Sequence, residues 1–292
     1  MQRQRRLKSR EHLCSHRQGP PLLRQTVSHP TVATARPAPS VRVLFSPTEY
    51  EAIAHQDLSS VTCVVFDVLR ATSTMLEALG NGATGIRPAR EIAEAIALRE
   101  RHPDALLAGE RDGLRIRAHQ TGGVDFDLGN SPREFTRNRV EGREIIMSTT
   151  NGTRALEACR LARAVFIASF GNVSAMARHL VQSHSERLWL ICAGTLENAS
   201  FEDTLGAGAL VDRLLKETNE PQAWSLDDSS QIAWDLYRGH QPRLPEAARC
   251  ARNGRRLLAQ PELAGDIPVC FEEDRNPHVV QLGADQVLRK IH

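Results

Sequence analysis

This 292-residue sequence lacks the features that are typical of nucleic-acid-binding proteins and of membrane proteins. Its 37 Lys and Arg residues nearly balance 35 Asp and Glu residues, so no strong overall charge attracts nucleic acid or an anionic membrane. No apolar run approaches the roughly 18 residues that a membrane-spanning helix needs. Aromatic residues make up only 4% of the chain, which argues against a surface that stacks nucleic-acid bases. These absences favour a soluble protein that binds neither nucleic acid nor a membrane.

The six cysteines are too few for a disulfide framework, and no CxxC pair suggests a zinc site. Cys63, Cys192 and Cys270 each lie in an apolar segment, which is typical of buried thiols in a reducing compartment and predicts a cytoplasmic protein. The sequence also has no HExxH, no GxSxG and no GxGxxG after a strand. With 41% hydrophobic residues, the chain can still bury a substantial core.

The first 40 residues differ in composition from the remainder. They contain eight basic residues, one acidic residue and five prolines, without the period of a helix or a strand. We predict a disordered basic leader over residues 1–40 and a folded domain over residues 41–292 with a formal charge of about −5. An organelle transit peptide, a nucleic-acid-binding arm and an upstream extension outside the mature product would share this composition. We favour the extension, because the first foldable segment begins abruptly at Val41.

Beyond the leader, apolar strand patterns alternate with amphipathic helix patterns, which is typical of an α/β fold. We predict a three-layer α/β/α domain with a mostly parallel or mixed sheet. A unit of apolar strand, small polar loop and short helix recurs at Cys63, Ile145 and Leu188, so the sequence leaves an internal duplication open. The same patterns predict a helical stretch over residues 229–258 and a short strand over residues 267–271.

Polar loops follow the three recurring strands, and such loops line the crevice at the carboxyl ends of strands in open α/β sheets. Asp67 ends one apolar strand and needs a partner if it is buried. Arg70 and the hydroxyl groups of Thr72 and Ser73 follow it directly. The cluster indicates either an anion site at a helix start or an Asp that organises a turn while a hydroxyl caps the helix. We favour the anion site because Arg70 adds a fixed positive charge.

Two further loops carry candidate site residues. The segment Gly-Glu-Arg-Asp-Gly at 109–113 ends another strand. Its three charged residues are typical either of a functional site or of a tight exposed turn. The segment Thr-Thr-Asn-Gly-Thr at 149–153 joins a strand to a helix. It predicts either a turn with a hydroxyl cap or a cradle of N–H and O–H donors for a phosphate group.

A third candidate is an acidic helix start. Glu202 and Asp203 follow Ser200, so a structural capping box competes here with metal binding. Glu197 raises the local acidic density, which favours Mg²⁺ over softer metals.

Five motifs occur in this order along the chain: DVLRATST at 67–74, GER at 109–111, FDLGNSP at 126–132, TTNGT at 149–153 and EDTLGAG at 202–208. Together they resemble the successive signatures of the 2-phosphosulfolactate phosphatase (ComB-like) family. The resemblance covers roughly residues 41–285 and leaves the basic leader outside. Each motif alone is weak, whereas five in family order are specific.

The resemblance implies a three-layer α/β/α fold and Mg²⁺-dependent hydrolysis of 2-phospho-3-sulfolactate to 3-sulfolactate and phosphate. Under it we expect a metal site and a catalytic group, with water as the direct attacking group. The expected metal ligands are Asp67, Glu110, Glu202 and Asp203. The expected catalytic residues are Asp67, Arg70, Glu110 and Arg111, with both arginines binding anionic groups. The expected substrate-binding residues are Thr72, Ser73, Asn130, Ser131, Thr150, Asn151 and Thr153.

Other classes stay open on the residues alone. A metal-dependent hydrolase of another small anionic phosphomonoester would share the same acidic crevice. A non-enzymatic anion-binding module is disfavoured, because anion binding gives no reason to gather carboxylates beside arginines. A nucleic-acid role would depend on the leader alone. The stretch 229–258 could cover the sheet or form the face of a homodimer, and the sequence does not choose between them.

Overall fold

The computed structural model describes residues 38–53, 55–218 and 223–291. The expected leader lies outside these residues except for 38–40, so its disorder stays a prediction. Among the described residues, no helix is long and apolar enough to cross a membrane. The thiols of Cys63, Cys192 and Cys270 are buried, as their apolar segments predicted.

Eleven strands and twelve α-helices form within the described residues. The strands are β1 (Ser40–Leu44), β2 (Thr62–Phe66), β3 (Gly85–Pro88), β4 (Leu106–Arg111), β5 (Leu114–Arg115), β6 (Glu144–Ser148), β7 (Ala164–Ala168), β8 (Arg187–Cys192), β9 (Ser225–Leu226), β10 (Val279–Leu282) and β11 (Leu288–Ile291). The helices are α1 (Pro47–Ile53), α2 (Ala71–Gly80), α3 (Ile92–Arg101), α4 (Ala118–Thr121), α5 (Arg137–Val140), α6 (Gly152–Cys159), α7 (Val173–Gln182), α8 (Phe201–Thr218), α9 (Asp228–His240), α10 (Arg252–Leu258), α11 (Pro261–Ala264) and α12 (Asp266–Cys270).

All eleven strands belong to one mixed sheet in the order β5-β4-β6-β3-β11-β10-β7-β2-β8-β1-β9. Strands β4, β6 and β3 form one parallel block, and β7, β2, β8, β1 and β9 form a second. The antiparallel hairpin of β10 and β11 stands between the blocks and pairs with β7 and β3. The sheet confirms the predicted α/β class with a mixed sheet. Internal duplication stays a prediction.

The helices cover both faces of the sheet, and strand β2 shows how. All five of its residues are buried, and their side chains alternate between the faces. Val64 and Phe66 pack in the core shared with α7, α8 and α9. Cys63 and Val65 pack in the core shared with α1, α2 and α6. A strand buried on both faces in this way is the middle layer of a three-layer α/β/α fold.

The loops after β2 and β6 lie side by side, although these strands belong to different parallel blocks. Three successive antiparallel pairings separate the blocks, so their strands run in opposite local directions. A flat sheet would then place the carboxyl ends of β2 and β6 at opposite edges. Gly152, at the start of the helix after β6, nevertheless lies beside Asp67, which follows β2. The sheet is therefore not flat, and the loops after β2 and β6 meet at one place.

The predicted helical stretch over residues 229–258 is confirmed, but it is divided, because a 3₁₀ segment at Gln241–Arg249 contains Pro245 and separates α9 from α10. One prediction of secondary structure needs correction. Residues 267–271 were expected as a strand, but Asp266–Cys270 form helix α12. Burial of the Asp266 side chain among polar partners fixes this helix, and Pro268 is tolerated in a first helical turn.

Candidate active site

A polar pocket of about 180 Å³ lies where the loops after β2, β4, β6 and β8 meet helix α10. The lining residues are Asp67, Leu69, Arg70, Glu110, Asp112, Asn130, Thr150, Asn151, Thr195, Leu196, Arg252, Asn253 and Arg256. The loops after all three recurring strands contribute, through Asp67, Thr150 and Thr195. Three carboxylates and three arginines therefore share one small cavity, together with hydroxyl and amide groups.

Asp67 lies at the base of the pocket at the end of β2. The Ala71 backbone N–H donates to its Oδ1 at 3.2 Å, and its own N–H donates to Thr72 Oγ1 at 3.1 Å. Burial raises the pKa of the Asp67 carboxyl to about 7, assisted by the negative charges of Glu110 and Glu202 and opposed by backbone N–H groups. Asp67 thus organises the turn into α2 and also presents a carboxyl that titrates near neutral pH.

Gly152 allows the loop after β6 to approach Asp67. A Cβ atom at this position would lie 2.8 Å from Asp67 Oδ2 and 2.9 Å from Ala71 Cβ, closer than real Cβ contacts. The Asn-Gly pair at 151–152 was predicted as a turn or a phosphate cradle. The glycine is needed for the space it leaves rather than for a left-handed backbone, because its φ angle is not positive.

Glu110 connects two of the predicted loops. Its Oε1 accepts hydrogen bonds from the Thr150 backbone N–H and from Thr150 Oγ1, both at 2.9 Å. Its Oε2 accepts the Gly113 N–H at 2.7 Å. These bonds hold the 109–113 turn against the 149–153 loop and fix the Glu110 carboxylate in the pocket wall.

Arg70 lies in the pocket wall and is almost completely buried. Its Nη1 donates to Asp266 Oδ2 and its Nη2 donates to the Gly113 carbonyl, each at 2.7 Å. The fully buried Asp266 carboxylate also accepts from Ser131 Oγ at 2.6 Å and from Arg133 Nε at 2.7 Å. Ser131 is therefore a support for Asp266 in this structure and does not line the pocket.

Asn130, the second residue of the 126–132 motif that was expected to bind substrate, does line the pocket. Its Oδ1 is buried and has no hydrogen-bond partner among the described residues. A buried, unpaired amide oxygen is uncommon and needs a partner from outside the chain or from water.

Glu202 and Asp203 lie behind the pocket rather than in its lining. Asp203 accepts the Val68 N–H at 2.8 Å and the Gly194 N–H at 3.1 Å, so it joins the loops after β2 and β8 instead of capping α8. Glu202 accepts from Asn253 Nδ2 at 2.7 Å through Oε1 and leaves Oε2 buried without a partner. Burial raises the pKa of both carboxyls, and the charges of Glu202 and Asp67 add to the rise at Asp203.

Four residues expected at the site are not among the residues that line the cavity. Arg111 donates to Ser148 Oγ at 3.0 Å and to backbone carbonyls. Thr72 accepts from the Asp67 N–H, Ser73 Oγ donates to the Val68 carbonyl at 2.9 Å, and Thr153 Oγ1 donates to the Thr149 carbonyl at 2.8 Å. In this structure they brace the loops that carry the lining residues.

Sequence reasoning missed the residues that α10 brings to the pocket. Arg252, Asn253 and Arg256 come from a segment without a family motif, more than forty residues beyond the last motif. The available signal was the repeat of arginine at positions four apart, which places both on one helix face. Asp112 and Leu196 were also missed; both have positive φ angles, 54° and 56°, in the turns that form the pocket rim.

The carboxylates at the base suit a hard cation. The charges of Glu110 and Glu202 help to raise the pKa of Asp67, and the charges of Glu202 and Asp67 help to raise the pKa of Asp203. A divalent ion would offset the repulsion between these carboxylates. All donors are oxygens, which Mg²⁺ prefers. Within the described ranges, no three His, Cys, Asp or Glu side chains already stand together as a ligand set. Mg²⁺ often takes only one or two carboxylates and completes its shell with water and substrate phosphate, so the donor set still fits.

An α/β sheet whose loops gather carboxylates, arginines and hydroxyl donors in one pocket defines an enzyme for a small anionic substrate. Residues 48–284 match the family model for 2-phosphosulpholactate phosphatase, and the chain belongs to that family of phosphatases.

Curated relatives agree with this assignment. A protein of Caldanaerobacter subterraneus subsp. tengcongensis is 37% identical over 77% of this chain and 89% of its own length. A Synechococcus protein is 39% identical over 72% of this chain and 84% of its own length. A Deinococcus radiodurans protein is 39% identical over 70% of this chain and 80% of its own length. Each is named a probable 2-phosphosulfolactate phosphatase.

Proposed function

We propose that the protein is a Mg²⁺-dependent phosphatase that hydrolyses 2-phospho-3-sulfolactate to 3-sulfolactate and phosphate. The observation that carries the proposal is the pocket itself, where the buried carboxyl of Asp67 lies beside Arg70 and the Thr150 hydroxyl. Family membership and the names of the relatives supply the substrate. Hydrolysis of a phosphate monoester is among the slowest uncatalysed reactions, so strong charge stabilisation is needed.

The phosphoryl group binds at the base of the pocket. Arg70 is held rigidly by Asp266 and the Gly113 carbonyl, so its charge is aimed before substrate arrives. Asn151 offers a neutral amide donor from the loop after β6, while Thr150 holds Glu110 in place through its N–H and its hydroxyl. These groups align the ester for attack by water on the face opposite the leaving alcohol.

Asp67 serves as the base for the attacking water. Its carboxyl lines the pocket, and in the metal-free protein burial raises its pKa, which makes it a stronger proton acceptor. Glu110 shares the pocket wall and is fixed by Thr150 and Gly113, which keeps its charge beside the reacting group.

We assign Mg²⁺ binding to Glu202, Asp203, Asp67 and Glu110, directly or through water. The unpaired Oε2 of buried Glu202 supports this assignment. When bound, Mg²⁺ would neutralise charge on the phosphoryl oxygens.

The test is phosphate release by the purified full chain from 2-phosphosulfolactate and from other phosphomonoesters, with Mg²⁺ and with EDTA. Metal-dependent release that prefers the sulfonated ester supports the proposal. Release from other esters alone would retain the chemistry and reject the substrate. An Asp67→Asn variant that keeps full turnover would reject Asp67 as the base.

Three further features belong to this proposal. The buried thiols support a cytoplasmic location, because reduced cysteines are the rule there. A homodimer and the absence of nucleic-acid binding stay predictions from the sequence, to be tested by light scattering and by titration with DNA and RNA.

A further inference from the structure

Helix α10 presents two arginines to the pocket. Arg252 and Arg256 are four residues apart, so they lie on one face of the helix, and both line the cavity. Both are exposed, and neither forms a hydrogen bond or an ion pair with another described residue. Like charges at this spacing weaken a helix. Two uncompensated guanidinium groups at a pocket therefore need an explanation beyond the stability of the fold.

Contacts made by Asn253 and by Arg256 fix the position of α10. Asn253 Nδ2 donates to Thr195 Oγ1 and to Glu202 Oε1, each at 2.7 Å, which ties the helix to the base of the pocket. The Arg256 guanidinium lies against Gly113, where a Cβ atom would be 3.2 Å from Arg256 Cζ. The Gly113 carbonyl is also an anchor of Arg70. Arg256 and Arg70 thus both lie next to Gly113.

The pocket has a buried base and an exposed rim. Asp67, Arg70, Glu110 and Asn130 at the base are each no more than 8% exposed. Arg252 and Arg256 stand with Asp112 and Leu196 among the exposed lining residues. A phosphoryl group that reacts at the base leaves the remainder of a small ester pointing towards this rim. Helix α10 therefore contributes two positive charges to the rim.

We propose that Arg252 and Arg256 bind the acid groups of the substrate that do not react, and so select phosphomonoesters that carry a carboxylate or sulfonate. The inference rests on the proposed phosphatase function and adds its specificity residues. Guanidinium groups suit both acids, because their N–H donors match two oxygens at once. Binding a remote group in this way stabilises the ground state and the transition state alike, so it acts mainly on KM.

The test compares esters in the Arg252→Gln and Arg256→Gln variants. The substrates are 2-phosphosulfolactate, 2-phospholactate and propan-2-yl phosphate, which carry two, one and no additional acid groups. For 2-phosphosulfolactate each variant should raise KM about 10- to 100-fold, the value of a lost charged hydrogen bond, with little change in kcat. For propan-2-yl phosphate, kcat/KM should stay within about twofold of the unchanged enzyme.

Arg255→Gln is the matched control. Arg255 lies on the same helix, is exposed, and donates to the Cys250 carbonyl at 2.6 Å instead of lining the pocket. It should leave the ratio of kcat/KM between the esters unchanged. Equal losses on all three esters in Arg252→Gln and Arg256→Gln would overturn the proposal, since they would show that these arginines bind the phosphoryl group.

A binding experiment separates this inference from the proposed function. Calorimetric titration with 3-sulfolactate and with inorganic phosphate requires no turnover. We expect both variants to lose affinity for 3-sulfolactate about 10-fold or more and to keep their affinity for phosphate. The inference would be overturned if the variants bound 3-sulfolactate as tightly as the protein without substitutions. It would also be overturned if the protein without substitutions did not bind 3-sulfolactate. Failure to release phosphate from any ester would reject the proposed function alone.

Discussion

Replacing Gly152 with alanine should damage the active site while leaving the fold intact. The added Cβ would lie 2.8 Å from Asp67 Oδ2, whereas ordinary contacts begin at 3.4 Å, so the carboxyl or the start of α6 must move by roughly 0.6 Å. Displacements approaching 1 Å at a reacting group can cost about 100-fold in rate. We therefore expect kcat/KM for the phosphomonoester to fall about 10- to 100-fold.

The effect of Gly152→Ala on stability should be small, because two contributions oppose each other. Alanine favours a helix over glycine by about 1 kcal/mol, and crowding in a packed site costs about 1–3 kcal/mol. The net loss in the free energy of unfolding should stay below about 2 kcal/mol, measured by denaturant titration.

Gly239→Ala supplies the matched control for this experiment. Gly239 lies in α9, and a Cβ atom there would meet nothing within 4 Å. This variant should gain up to about 1 kcal/mol of stability and keep full activity. Full activity in Gly152→Ala would refute the argument that the glycine provides space for Asp67.

Three other predictions follow from the buried charges. Asp266→Asn removes the charge that fixes Arg70. We therefore expect the free energy of unfolding, measured by denaturant titration, to fall by about 3–5 kcal/mol, and the folded fraction of the variant to release phosphate more slowly. In EDTA, Asp67 keeps its proton to about pH 7 when folded but loses it near 3.8 when unfolded, so the unfolded state binds fewer protons between these values. Stability should therefore fall there by roughly 1 kcal/mol per pH unit, which thermal melts would show; a flat profile would contradict the buried carboxyl. Asp67→Asn should reduce that slope and abolish phosphate release, although the raised pKa values of Glu202 and Asp203 keep part of the slope. An unchanged slope would reject Asp67 as a source of it.

Local sequence patterns were sufficient for the fold class. Strand β2 is apolar after Thr62 because it is buried on both faces, and a short polar loop followed by a helix marks its end. The same pattern after β6 and β8 predicted that the three polar loops would lie at one crevice, and they contribute Asp67, Thr150 and Thr195 to the pocket. The end of a strand is predictable in this way because the apolar run and the polar residues that follow it are local patterns.

Two local signals were misleading because tertiary contacts outweighed them. Residues 267–271 have an apolar pattern typical of a strand, but the buried Asp266 carboxylate with its three donors fixes a helix there. Asp203 has the spacing of a capping box with Ser200, yet its carboxylate accepts N–H groups from Val68 and Gly194. Sequence spacing cannot show which distant backbone donor will reach a carboxylate.

The sequence by itself therefore determined the α/β class, the family and the acidic loops, because periodicity and short motifs are written in consecutive residues. Only the tertiary structure decided that the loops after β2 and β6 meet, that Gly152 makes room for Asp67, and that α10 lines the pocket. Arg252 and Arg256 reach the site from a part of the chain that no motif connects to it. Such approaches depend on how distant segments pack, and packing is a property of the whole fold.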